Sequence, residues 1–276
     1  MTRQPGRNLP IGVFDSGVGG LTVLKAIRVA LPEEHLLYLG DTARLPYGTK
    51  SARSVLRYAT RAVAHLQERG IKLLVVACNT ASAVALDELK KTLAPLPVIG
   101  VVEPGAIAAV RTCPGGRHLV LATEATVSLG AYGKAIRELD SKASVIELAC
   151  ELLVALAEEG WTQGDVAEGI VRKYLDAHLE QDPSSRPESL ILGCTHFPIL
   201  WPVIRSVVDD SIAVVDSAMT TAVVVESYLR DRGIANAGGQ GSLKLLATDG
   251  ARRFARVGGS FLGTPLSVDD IELVDL

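Results

Sequence analysis

Apolar positions along the chain follow two alternating spacings. Short runs at 11–14, 35–39, 72–77 and 98–102, in which nearly every residue is apolar, have the length and β-branched content of strands buried on both faces. Each gives way to a stretch whose apolar residues recur three and four apart. These stretches predict helices at 21–27, 51–69, 81–93 and 106–111, with Gly70 closing the second as a C-terminal cap. Cys113-Pro114-Gly115-Gly116 breaks the pattern. It then restarts with strands at 118–122, 144–148 and 190–192, helices at 129–139, 163–179 and 200–208, and a polar connection at 180–188. Alternation of this kind predicts an α/β fold of mostly parallel sheets with helices on both faces. A short echo, Val13-Phe14-Asp15-Ser16-Gly17 against Val214-Val215-Asp216-Ser217-Ala218, adds the expectation of two related halves facing each other.

Composition narrows the picture. Of 276 residues, 48% are apolar but only 4% aromatic, so the core is built from aliphatic side chains and there is room for two modest domains. A net charge of −3 without a Lys/Arg stripe removes nucleic acid as the expected partner. The opening, Met1-Thr2-Arg3-Gln4-Pro5-Gly6-Arg7-Asn8, is not followed by the apolar core of an export signal, and no run is long enough for a membrane span. A cytoplasmic protein without a membrane partner is the expectation. The four cysteines show no C-x-x-C spacing and read as free thiols in a reducing compartment.

Two of those thiols occupy matching places. Cys78 ends the third predicted strand and is followed by Asn79-Thr80; Cys194 ends 190–192 after Gly193 and is followed by Thr195-His196. A strand passing into a helix N-terminus is a position that lowers a thiol pKa below its usual value of about 8.5. Two such groups facing one substrate suit removal of a proton on one face and its return on the other. Cys113 and Cys150 lack these surroundings and default to structural roles. His196 either assists proton transfer beside Cys194 or stays neutral and keeps positive charge away. A zinc site of Cys78, Cys194 and His196 lacks the usual close ligand pairs.

Asp15-Ser16-Gly17-Val18-Gly19-Gly20 lies between strand and helix, but Thr22 stands where a dinucleotide fingerprint has its third glycine. The turn therefore either receives a carboxylate or small anion, or is simply tight, with Asp15 capping the helix. The loop Gly40-Asp41-Thr42-Ala43-Arg44-Leu45-Pro46-Tyr47-Gly48 sits at the same strand ends, so Tyr47 and Gly48 could wall the same pocket while Asp41 holds the loop.

Four motifs, Phe14-Asp15-Ser16-Gly17-Val18-Gly19-Gly20-Leu21-Thr22-Val23, Gly40-Asp41-Thr42 with Pro46-Tyr47-Gly48, Ala77-Cys78-Asn79-Thr80-Ala81-Ser82, and Gly193-Cys194-Thr195-His196-Phe197-Pro198, resemble in order those of the glutamate racemases. The resemblance implies two similar parallel-sheet α/β domains with the active site in the cleft between them: residues 1–102 completed by 216–276, and residues 103–215. It implies a cofactor-independent isomerase that interconverts L- and D-glutamate and supplies D-glutamate for peptidoglycan. Cys78 would act on the D-enantiomer assisted by Asp15, and Cys194 on the L-enantiomer assisted by His196. Ser16, Tyr47, Gly48, Asn79, Thr80, Thr126 and Thr195 would hold the substrate together with Asp15 and His196, and Glu158 would support the second thiol. The chain departs from the family pattern at Glu151 and Ala155, where prolines are usual, and at Leu129, commonly polar. No metal is implied, and a homodimer is left open. The competing readings are a racemase for aspartate or another acidic amino acid, a Cys-nucleophile hydrolase or lyase built on Cys194 and His196, and a non-catalytic binder of small acids.

Overall fold

The computed structural model describes residues 6–182 and 184–276; the opening Met1 to Pro5, part of the stretch read above for an export signal, and Pro183 of the polar connection lie outside the described residues. The chain opens with β1 (Ile11–Asp15), α1 (Leu21–Ala30), β2 (Leu36–Gly40), α2 (Ala52–Glu68), β3 (Leu73–Val76), α3 (Asn79–Thr92), β4 (Val98–Gly100) and α4 (Val102–Thr112). The next unit is β5 (Arg117–Ala122), α5 (Glu124–Ser128), α6 (Ala131–Leu139), β6 (Ser144–Ala149), α7 (Glu151–Glu159), α8 (Asp165–Leu179), β7 (Ser189–Gly193), α9 (Trp201–Val207), β8 (Ala213–Asp216) and α10 (Ser217–Arg232). β9 (Leu243–Ala247), α11 (Ala251–Leu262) and β10 (Ile271–Leu273) close it.

Two sheets result, both wholly parallel. The first runs β10-β9-β2-β1-β3-β4 and the second β6-β5-β7-β8, so the last two strands of the chain extend the first sheet. Alternation along β1 explains the layering. Ile11 and Val13 turn to the core that α1 and α11 cover, whereas Phe14, with Leu74 and Val76 of β3, turns to α2 and α3. α2 shows how the local code works: Ser51 accepts the Ser54 amide at 3.3 Å as its N-cap, and Val55, Ala59, Ala62, Val63 and Leu66 form one buried stripe. Gly70 then takes the left-handed conformation at φ +74°, as the sequence expects. Burial of each such Val or Leu stabilises by roughly 1.5–3 kcal/mol.

The two sheets repeat one order. β2-β1-β3-β4 corresponds to β6-β5-β7-β8, which makes β1 the counterpart of β5, and β3, which precedes Cys78, the counterpart of β7, which precedes Cys194. In each sheet the chain order reverses beside the first strand of the unit, leaving a crevice at the carboxyl ends. The short sequence echo, by contrast, pairs β1 with β8, which are not equivalent strands. The halves are related in topology, and that echo does not mark the relation.

Several elements differ from the sequence expectation. α4 begins at Val102 with Pro104 inside it, because first-turn amides need no intrahelical partner. The helix expected at 129–139 starts at Ala131 as α6, and an unpredicted short helix, α5, precedes it, the two parted at Gly130 with φ +60°. Residues 200–208 open as a 3₁₀ turn at Phe197–Leu200 before α9. α7 lies where the sequence predicts no element; it buries Leu153, Leu156 and Ala157. Among the described residues no helix is long and apolar enough to cross a membrane.

Candidate active site

Ser16, Pro46, Tyr47, Gly48, Cys78, Asn79, Thr80, Thr123, Glu151, Val154, Cys194, Thr195 and His196 line one cavity between the two sheets. The carboxyl ends of β1 and β3 supply one wall, and those of β5 and β7 the other. Of the residues expected at the site, Asp15, Thr126 and Glu158 stand behind this lining rather than in it.

On the first wall, Cys78 is the N-cap of α3. Its sulfur accepts the Ala81 amide at 3.4 Å and lies 3.5 Å from Ser16 Oγ. The helix terminus alone predicts a more acidic thiol. Instead burial, seconded by the Asp15 charge, pushes it up to about 12, and the contacts with Ser16 and Ala81 only reduce the rise. Loss of water outweighs one amide and the partial charge of a helix end, so Cys78 is held as the thiol.

Asp15 is fully buried and also pushed up, chiefly by desolvation. The His196 charge and the amides of Gly20, Gly17 and Ser16 pull the other way. Asp15 Oδ2 accepts the Gly17 amide at 2.9 Å. The glycine turn thus surrounds the chain's own carboxylate, and no external anion is needed to account for its amides. Nor does Asp15 cap α1, whose N-cap is Gly20 without a side-chain bond. The glycines serve close approach: a Cβ at Gly20 would lie 2.5 Å from Asp15 Cβ, and one at Gly19 would lie 2.4 Å from Thr195 Oγ1 and 2.5 Å from His196 Nδ1.

The second wall is built around Cys194. Only a 3₁₀ turn follows it, so the helix-terminus expectation holds for Cys78 alone. Its sulfur lies 3.8 Å from His196 Nδ1, and His196 Nε2 lies 3.1 Å from Glu158 Oε1. Burial by itself would push His196 down, but the contacts with Cys194 and Glu158 raise it to about 10. These contacts favour the charged imidazole over the neutral one. Glu158 is pushed down, first by its bond to His196 and further by Arg253, whose Nη2 donates to Oε2 at 2.6 Å.

Hydrogen bonds tie the walls together. Thr80 Oγ1 lies 2.8 Å from Thr123 Oγ1, which lies 3.1 Å from Thr126 Oγ1, giving three linked hydroxyls. Tyr132 donates to Asn79 Oδ1 at 2.8 Å, and Thr22 to the Thr195 carbonyl at 2.9 Å. Asn79 Nδ2 and Asp15 Oδ1 are buried without a partner among the described residues. Tyr47 donates to Asp41 Oδ2 at 2.7 Å; Asp41 also receives Arg44 and Thr248, so it organises the loop that brings Tyr47 and Gly48 to the cavity.

Sequence reasoning missed Thr123, Glu151 and Val154 in the lining, and Arg253 behind it. Thr123 follows β5 as Ser16 follows β1, so a comparison of the two sheets would have found it. Glu151, noted only as a departure, accepts the Glu124 amide at 2.5 Å and joins α7 to α5. Arg253 lies 95 residues from Glu158 and carries no local signal.

A family model described as Asp/Glu/hydantoin racemase matches residues 11–225. The chain is 48% identical over 257 residues to a glutamate racemase of Geobacter metallireducens, with 93% of each covered. Among solved structures it is similar to a glutamate racemase isoform of Bacillus anthracis, with a TM-score of 0.91 at 34% identity. It is also similar to a glutamate racemase of Francisella tularensis in complex with D-glutamate, with a TM-score of 0.89 at 32% identity. Both comparisons cover 98% of each chain.

Proposed function

The chain belongs to the Asp/Glu/hydantoin racemase family and is an amino-acid racemase, and we propose that it interconverts L- and D-glutamate without a cofactor through two thiols acting on opposite faces of the α-carbon. The observation that carries the reading is Cys78 and Cys194 entering one cavity from equivalent ends of two different sheets.

In the L-to-D direction Cys194, 3.8 Å from His196 Nδ1, removes the α-proton. Cys78, already a thiol, returns a proton from the other side. In the reverse direction Cys78 first gives up its proton to the adjacent Asp15, whose own acidity is weakened by burial, while Cys194 takes a proton from His196 and delivers it to the α-carbon from the other side. A closed, poorly hydrated site strengthens the interactions that stabilise the carbanion-like transition state. Asn79 Nδ2 donates to a substrate carboxylate with Ser16, Thr80 and Thr195 around it and Thr126 behind them through Thr123, Asp15 Oδ1 accepts from the ammonium from behind the lining, and Tyr47 and Gly48 limit the pocket. Glu158 supports His196. The two domains comprise residues 1–102 with 216–276 and residues 103–215, and the product serves peptidoglycan synthesis in a bacterial cytoplasm.

The test is racemisation of L- and D-glutamate followed by circular dichroism, with aspartate as control, and exchange of the α-proton in deuterated buffer. Cys78→Ala and Cys194→Ala should each abolish racemisation. Full activity in either variant refutes the two-thiol mechanism, and preference for aspartate refutes the substrate.

A further inference from the structure

Behind the second thiol stands a line of four groups: Cys194 Sγ to His196 Nδ1 at 3.8 Å, His196 Nε2 to Glu158 Oε1 at 3.1 Å, and Glu158 Oε2 to Arg253 Nη2 at 2.6 Å. The first three come from the second sheet's unit. Arg253 comes from α11, whose flanking strands β9 and β10 belong to the first sheet. It reaches across the cleft from outside the cavity.

We propose that Arg253 is a positioning residue for the thiol on the L face: it fixes the rotation of Glu158, and through it the orientation of the His196 imidazolium against Cys194. A carboxylate bonded through one oxygen can swing about its side-chain torsions, whereas one held through both oxygens cannot. Glu158 sits in the last turn of α7, which ends at Gly160 in the left-handed conformation, so little helix lies beyond it to confine its side chain. It also borders, with Arg253 itself, a second cavity lined by Val18, Leu45, Asp249 and Phe254. Without Arg253, Glu158 has room to turn into that second cavity and leave His196. A group held in orientation by a third partner is the recurring logic of activated nucleophiles and bases.

The proposal rests on the reading that Cys194 carries the proton on the L face, and its test separates the two. L- and D-glutamate have equal free energy, so a variant must change kcat/KM equally in both directions. Isotope effects can still differ. In Arg253→Ala, kcat/KM should fall about tenfold, a fraction of what general acid–base catalysis contributes. The substrate isotope effect should rise with α-deuterated L-glutamate and fall with α-deuterated D-glutamate, because the Cys194 step has become the slower one. In a Glu158→Gln background the same substitution should add nothing further. Arg253→Lys should recover part of the loss, and it keeps the test available should the alanine variant fail to fold. Arg252→Ala, at the neighbouring exposed position, is the control. Unchanged isotope effects, or a loss that adds fully to that of Glu158→Gln, overturn the proposal. A Cys194→Ala enzyme that still racemises overturns the reading beneath it.

Discussion

Gly19→Ala tests the site without altering any group that touches the proton. Gly19 has no left-handed backbone, so alanine is permitted by conformation and the effect is steric. The added carbon would stand 2.4 Å from Thr195 Oγ1, 2.5 Å from His196 Nδ1 and 2.6 Å from His196 Cε1, where ordinary contact begins at 3.4 Å. The second wall must therefore retreat by about 1 Å, the shortfall at Thr195 Oγ1. Displacement on that scale costs on the order of 100-fold in rate when it falls on a catalytic group. Overpacking costs about 1–3 kcal/mol of stability, a fall of a few degrees in Tm for a chain of this size. Gly17→Ala is the paired control in the same turn, since its Cβ would meet only Leu45 at 3.4 Å and its amide remains available to Asp15. Racemisation kinetics and thermal melts on both variants decide the matter. A Gly19→Ala enzyme with wild-type kcat, or a Gly17→Ala enzyme equally impaired, refutes the claim that the turn sets the position of His196.

Lys72 is fully buried, with Nζ against Glu34 at 2.5 Å and donating to the carbonyls of Arg7 and Ile234 at 2.7 and 2.9 Å; Lys72→Met should cost about 3–5 kcal/mol in urea melts, and adding Glu34→Gln should recover part of it. An unchanged melting midpoint would argue against the pair as a structural clasp. His196 is raised in the folded chain to about 10 from a usual 6.5, so the stability it contributes is full below pH 6.5 and lost as pH rises toward 10. His196→Gln should flatten the fall in stability over that window, and parallel wild-type and variant curves would refute the charged assignment. Glu158→Gln should reduce kcat while leaving the circular-dichroism spectrum of the fold unchanged; undiminished kcat removes Glu158 from the relay.

Much of the framework is legible because it is written in local spacing. The strands before Asp15, Cys78 and Cys194 are short apolar runs, and the turn after each carries residues that line the cavity. α7 is harder: its buried face is only Leu153, Leu156 and Ala157, too short a stripe to separate from an apolar strand. The acidity of Cys78 is misread for a different reason. Sequence reveals a helix N-terminus but not how much water the thiol loses, and here burial decides the sign. Arg253 is invisible because its role exists only once β9 and β10 have joined the first sheet.

The hydrogen bonds that join the walls also set a limit on traffic. Any parting of the walls breaks Thr22 to Thr195, Thr80 to Thr123, Tyr132 to Asn79 and Glu158 to Arg253. At about 1 kcal/mol for each neutral bond, the first three alone hold a parted form to roughly one molecule in a hundred. A ligand that needed that form would have its apparent association rate lowered by the same fraction. The contacts that shape the site thus also weigh against its separation.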